Sequence, residues 1–154
     1  MIFVPNSIEK IALEKKIHNS QPQYNLLAHG RETVTDEMVQ ADFKENEEVK
    51  GNRMIIEAEG KAVGLFDYCY KNPNDGQPWI GLLLIEARHE KKGYGKSAVA
   101  MFEESLRKQG YNKCRIGVLQ GNEKAKQFWE KLGYGKYTEK TRGNQLILCY
   151  EKYI

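Results

Sequence analysis

The residues of this chain best placed to do chemistry lie between Glu90 and Ala98, which read Glu-Lys-Lys-Gly-Tyr-Gly-Lys-Ser-Ala. The stretch joins an apolar run, Trp79–Ile85, to an amphipathic one starting at Tyr94. The first turn of a helix carries unpaired backbone N–H groups and the positive end of the macrodipole. Gly93 and Gly95 let a ligand approach that backbone without a Cβ in the way. Lys91, Lys92 and Lys96 add positive charge, and Ser97 adds a hydroxyl. Such a turn suits a phosphate or diphosphate. Each charge-assisted contact is worth about 1.5–3 kcal/mol, so a few of them would anchor a nucleotide tail.

Two familiar nucleotide motifs come close and fail. Gly95-Lys96-Ser97 would end a P-loop, but that loop needs a glycine where Glu90 stands. Gly93-x-Gly95-x-x-Ala98 matches a dinucleotide fingerprint, but the strands before it read as a meander. The next strand offers Arg115 and no acid for a ribose.

The elements that must position this turn follow from periodicity. Ile2–Val4 is a short strand, and Asn6 with Glu9 resembles a capping box opening a helix to about Ile17. A polar stretch, His18 to Gln23, follows, and a second helix covers Asp36 to Lys44 with Met38, Val39 and Phe43 inward. Met54–Ala58 and Ala62–Tyr70 form an antiparallel pair around Glu59-Gly60-Lys61. Trp79–Ile85 is nearly all apolar and reads as a strand buried on both faces. Tyr94 to Gln109 is a helix with Val99, Phe102 and Leu106 inward, and Lys113–Leu119 is the next strand. Asn122 to Leu132 is a helix closed by Gly133. Tyr137–Thr141 and Leu146–Tyr153 form a final hairpin. The expected fold class is mixed α/β (α+β): one central sheet with helices on both faces, in a single domain over residues 1–154.

About thirty residues after the glycine turn, the chain carries Asn122, Ala125, Phe128-Trp129 and Gly133-Tyr134. The two motifs, in this order and separated by one strand, resemble the GNAT superfamily of acetyl-CoA-dependent N-acetyltransferases. The resemblance is sharp from Trp79 to Tyr134 and extends in element order from Met54 to Tyr153.

The resemblance implies a mostly antiparallel sheet in which Trp79–Ile85 and Lys113–Leu119 splay apart to admit the pantetheine arm as an added strand. It implies acetyl-CoA as acyl donor. Leu83, Leu84 and Ile85 would supply main-chain donors near the thioester, with Leu84 polarising the carbonyl. Lys91, Lys92, Gly93, Tyr94, Gly95, Lys96 and Ser97 would hold the diphosphate. Asn122 would bond the pantetheine arm or simply cap its helix, and Phe128 and Trp129 would flank the cofactor. Three departures stand out. Glu90 replaces the family's Gln or Arg, Trp129 replaces the tyrosine that protonates the leaving thiolate, and Trp79 sits where a glutamate base is often found.

An alkyl ammonium of pKa about 10.4 costs about 4.6 kcal/mol to deprotonate at pH 7. Asp67, Tyr68 and Glu86 are the nearby candidates for a base, and Glu86 is the one expected to be catalytic. The expected route is direct attack by a neutral amine, with water relaying the proton. Trp79, Phe66, Tyr68, Tyr70 and Trp129 are candidates for an acceptor pocket built with the first two helices and the last hairpin. An acetyl-CoA sensor of the same fold and a nucleotide-binding interaction domain are the alternatives.

Bulk properties narrow the remaining classes. The 154 residues carry 24 Lys and Arg against 21 Asp and Glu, too mild a balance for nucleic acid. The apolar share of 40% is that of a globular protein. Cys69, Cys114 and Cys149 are odd in number, lack a CxxC spacing and read as reduced core thiols of a cytoplasmic protein. The run Trp79–Ile85 is far short of the ~20 apolar residues a membrane helix needs, and Met1–Val4 is too short for a signal peptide. The expected partners are a small-molecule amine acceptor and no nucleic acid, membrane or metal, in a monomer or homodimer.

Overall fold

Apolar residues recur every three to four positions along the helices, and the chain packs those faces against the two sides of one sheet. The computed structural model describes residues 1–154. The strands are β1 (Ile2–Pro5), β2 (Asn52–Ala58), β3 (Lys61–Cys69), β4 (Trp79–Ile85), β5 (Lys113–Leu119), β6 (Gly135–Arg142) and β7 (Gln145–Tyr153). The helices are α1 (Ile11–Asn19), α2 (Pro22–His29), α3 (Asp36–Glu48), α4 (Tyr94–Lys108) and α5 (Glu123–Lys131). Single 3-10 turns lie at Ile8–Lys10 and Ala87–His89.

The sheet runs β1-β2-β3-β4-β5-β7-β6, and every neighbour is antiparallel except β4–β5. A parallel pair needs a crossover, and α4 supplies it, burying Ala98, Val99, Phe102 and Leu106 against one face. This face holds the larger core, where Phe66, Phe102, Ile116, Trp129 and Tyr150 meet. The opposite face carries a smaller cluster of Ile17, Ile55, Leu65 and Leu84 under α1. The mixed, mostly antiparallel architecture is the one expected from the sequence.

Two local expectations change. Pro22 opens an extra helix, α2, ended by Gly30 at φ 73°, so the polar stretch His18–Gln23 is the end of α1 and the start of α2. Proline is favoured there because a first-turn N–H has no helical partner to lose. The capping box at Asn6 does not form. Its Nδ2 donates instead to Glu14 Oε1 at 2.7 Å, and its Oδ1 accepts from the Ser7 amide.

Candidate active site

β4 and β5 are paired only at Trp79–Arg115 and Ile80–Ile116. Beyond Ile80 they part, and a cleft of about 450 Å³ opens between them. Two glycines leave the walls bare: Gly81 on β4 and Gly117 on β5 both line the cleft. Gly81 is the extra residue of a bulge, because β3 pairs Asp67 with Leu82 but Tyr68 with Ile80.

The β3 ladder decides which β4 groups face the gap. The Glu86 amide donates to Val63 O across β3 at 2.9 Å. Ile85 O points the other way, accepting from Gln21 Nε2 at 2.8 Å. Main-chain direction alternates along a strand, so Leu83 and Ile85 present N–H and C=O to the gap. Leu84 turns its main chain into the β3 ladder, and a Cβ placed on Gly64 would meet Leu84 O at 2.6 Å. The amide that faces the gap is therefore that of Leu83 and not that of Leu84, which contributes an apolar side chain.

The glycine turn closes one end of the cleft. Lys91 (φ 62°) and Gly93 (φ 81°) are both left-handed, which bends the backbone around Lys92 into the start of α4. Space beside Gly93 is open, and a Cβ there would have nothing within 4 Å, whereas at Gly95 a Cβ would lie 3.4 Å from the Phe128 ring. Lys91, Gly93, Tyr94, Gly95 and Lys96 line the cleft. Lys92 and Ser97 do not. Both are exposed, and the Ser97 amide is committed to Gly93 O at 3.0 Å.

The acid in the turn is neutralised. Glu90 Oε1 accepts from Lys124 Nζ at 2.6 Å and from Gln21 Nε2 at 2.7 Å. Although partial burial opposes it, these two bonds hold the carboxyl below its ordinary range. Neither Gln21 nor Lys124 stands out in the sequence, since each reaches Glu90 across dozens of residues. Lys124, one residue into α5, adds a third cation to the cleft beside Lys91 and Lys96.

Asn122 lines the cleft, and its Oδ1 accepts from the Ala125 amide at 3.1 Å, so it caps α5. Phe128 and Trp129 line the same wall. Tyr134 is buried away from the cleft, its hydroxyl donating to Glu103 Oε2 at 3.1 Å.

Glu86 does not face the cleft. It is buried beyond the end of β4, with Oε1 at 3.1 Å from Arg88 Nε and Oε2 at 3.7 Å from His89 Nε2. Of the five aromatics considered for an acceptor pocket, only Trp129 lines this cleft. Phe66, Tyr68 and Tyr70 stack around Phe102 on the α4 face, and Trp79 donates to Asp75 at 2.7 Å beside a smaller pocket. Tyr24 of α2 also lines the cleft, while Gln145 of β7 ties the last hairpin to Leu27 O and Ala28 O.

Residues 15–134, most of the chain, match the family model described as Acetyltransferase (GNAT) family. The chain belongs to the GNAT acetyltransferase family. This GNAT protein superposes on an acetyltransferase from Thermus thermophilus with a TM-score of 0.81 at 23% identity, covering 99% of this chain and 96% of that one. It also superposes on yncA from Salmonella typhimurium, solved with its cofactor acetyl-CoA, with a TM-score of 0.65 at 14% identity over 99% and 93% of the two chains. Among curated proteins it is 32% identical over 57 residues to the uncharacterized protein YkzC of Bacillus subtilis (strain 168). That match spans 37% of this chain and 40% of the relative. No helix of this GNAT protein is long and apolar enough to cross a membrane.

Proposed function

We propose that this chain transfers an acetyl group from acetyl-CoA to a primary amine by direct attack in a ternary complex. The observation that carries the reading is the gap between β4 and β5, with the Leu83 main chain and the Ile85 N–H turned to it along one wall and the left-handed turn at Lys91–Gly93 at its end. A CoA thioester fits those groups: an amide-bearing arm pairs with a free strand edge, and a diphosphate meets helix-terminal amides and lysines. Main-chain amides of residues 91 to 96, with Lys91, Lys96 and Lys124, would hold the diphosphate. Ile85 would bond the arm, and Phe128 and Trp129 would exclude water from it.

The chemistry supplied by the cosubstrate is a reactive thioester. The chain's contribution is positioning and polarisation. The Leu83 N–H faces the gap where a thioester oxygen would develop charge. Asn122, engaged as a helix cap, orients α5 rather than the reacting atoms. In the same reading the acceptor is a small molecule rather than a protein, and the chain works in the cytoplasm without a metal, as a monomer or homodimer.

Free-thiol release from acetyl-CoA over a panel of primary amines tests the proposal. Amine-dependent release supports it. A melting shift with acetyl-CoA but no release from any amine would favour an acetyl-CoA sensor, a reading suggested by Trp129 in place of a hydroxyl-bearing ring. A shift with ATP or NAD instead would favour a nucleotide-binding module.

A further inference from the structure

A buried polar cluster lies one strand in from the cleft, on the α1 face of the sheet. Asp67 of β3 stands opposite Arg53 on one side and Leu82 on the other. Its Oδ2 accepts from Arg53 Nε at 2.9 Å, while its Oδ1 is buried with no partner. An orphaned buried carboxylate oxygen is destabilising and is a group waiting for a donor. The neighbouring β4 residue on the cleft side is Gly81, exposed and lining the cleft. A Cβ there would meet only Asp67 within 4 Å, 3.8 Å from its main-chain O and 4.0 Å from its Cβ, so at Gly81 it is Asp67 that backs the cleft wall, and the missing side chain leaves a window there.

The charges around Asp67 do not balance. Arg53 also donates to Glu14 Oε2 at 2.9 Å and stacks on Phe43 at 4.2 Å. Asp42 of α3 faces the same group. Glu14 and Asp67 thus share one guanidinium, with the Asp42 carboxylate in the same field but not bonded to it. His18 of α1 does not compensate, because burial lowers its imidazole to about 4 and leaves it neutral. His29 acts on Asp42 from α2, and Arg142 is paired with Glu45 at 2.6 Å. Tyr24 lies between the cluster and the cleft, and burial, then Asp42 and Asp67, push its phenol up to about 12. It stays protonated and can donate.

We infer that Asp67 accepts the proton of the attacking amine, by way of the Gly81 window, and that the acidic surroundings select a primary alkylammonium with no neighbouring carboxylate as acceptor. The inference rests on the acetyltransferase reading above. The ammonium R–NH3+ gives one proton to Asp67 through a water held near Tyr24, leaving R–NH2 and a carboxylic acid. The nitrogen lone pair then forms the C–N bond to the acetyl carbon. The C–S bond breaks, the thiolate takes the second nitrogen proton, and Asp67 later returns its proton to solvent. Burial lifts the Asp67 carboxyl to about 7 despite Arg53, the range in which a base works best at neutral pH. An α-amino acid would bring a fourth carboxylate to the cluster, and like charges at such spacing repel.

The test compares n-butylamine, alanine and hydroxylamine, the last already neutral at pH 7.5, by thiol release from acetyl-CoA above the rate without enzyme, since hydroxylamine also cleaves thioesters unaided. With wild type, kcat/KM for n-butylamine should fall below a pH near 7, and alanine should be a poor acceptor. Asp67→Asn should remove that acidic limb and lower kcat/KM for n-butylamine by about 100-fold, with a much smaller loss for hydroxylamine. Gly81→Val, which leaves Asp67 in place, should raise the n-butylamine KM by about ten-fold while the acetyl-CoA melting shift persists. An acidic limb that survives Asp67→Asn, or alanine accepted as well as n-butylamine, would overturn the assignment. Should Asp67→Asn fail to fold, Gly81→Val with an unchanged KM would do the same. Wild type releasing thiol to none of the three amines would instead sink the acetyltransferase reading itself.

Discussion

Lys124 Nζ sits 2.6 Å from Glu90 Oε1, joining the first turn of α5 to the glycine turn across the mouth of the cleft. The pair explains how an acid is tolerated beside a proposed diphosphate site. Its removal has opposite effects from its two ends. Glu90→Gln leaves Lys124 free and removes a like charge, and should tighten acetyl-CoA binding about three- to ten-fold, a gain of about 1 kcal/mol. Lys124→Ala leaves Glu90 bare and should weaken it by a similar factor. Titration calorimetry at two salt concentrations checks both, and the Glu90→Gln affinity should fall more steeply with salt.

Gly93 is left-handed with open space beside it. Valine there meets backbone strain of about 1–2 kcal/mol and puts a side chain on the proposed diphosphate path. Acetyl-CoA at about 100 times its Kd should stabilise wild type by about 2.7 kcal/mol, and Gly93→Val should abolish the shift. Gly143→Val at the tip of the last hairpin carries the same kind of strain, at φ 63° with open space. It should lower the melting temperature yet keep the shift.

The buried cluster predicts an unusual pH dependence of stability. Asp67 has its folded pKa raised to about 7. The native state therefore holds a proton that the unfolded chain gives up from about pH 4, and stability falls as pH rises from about 4 to 7. His18 is lowered to about 4, so the unfolded chain binds the proton below about 6.5, and stability falls as pH drops through the same window. Each contributes a slope of about 1.4 kcal/mol per pH unit, with opposite sign. Wild type should show a shallow profile between pH 4.5 and 6.5 by urea denaturation. His18→Gln should unmask a steady loss of stability with rising pH, and Asp67→Asn a steady gain.

Tyr134 occupies the position of a closing aromatic in the glycine-terminated helix motif, and its hydroxyl is spent in the core. Burial, with Cys114 and Glu103, drives its ionisation far upward. Tyr134→Phe should cost about 1 kcal/mol of stability and leave the turnover number for thiol release unchanged. A turnover number that collapses in this variant would make Tyr134 the acid for the leaving thiolate.

Much of this arrangement was legible in the sequence because its signals are local. The apolar run of β4, the spacing of Val99, Phe102 and Leu106 in α4, and the two glycine-bearing motifs are patterns within single elements. Features set by register were not. Whether Leu83 or Leu84 faces the gap depends on one bond, Glu86 to Val63, made across β3. Phe66, Tyr68 and Tyr70 could lie on either face, and a bulge at Ile56/Glu57 helps decide which. Asn6 carried a capping signal, but a buried carboxylate eight residues on captured its amide. α2 was hidden because its apolar residues, Tyr24, Leu26 and Leu27, follow a polar stretch and leave Leu26 exposed. Gln21, Tyr24 and Lys124 reach the cleft only through tertiary packing, which single-element patterns do not encode.

The most direct test of the account is a crystal of this protein soaked with CoA. The diphosphate should lie within hydrogen-bond reach of main-chain amides between Lys91 and Lys96, and the pantetheine arm should bond Ile85 in the gap between β4 and β5. A ligand lodged elsewhere, with the turn at Gly93 unaltered and bare, would contradict it.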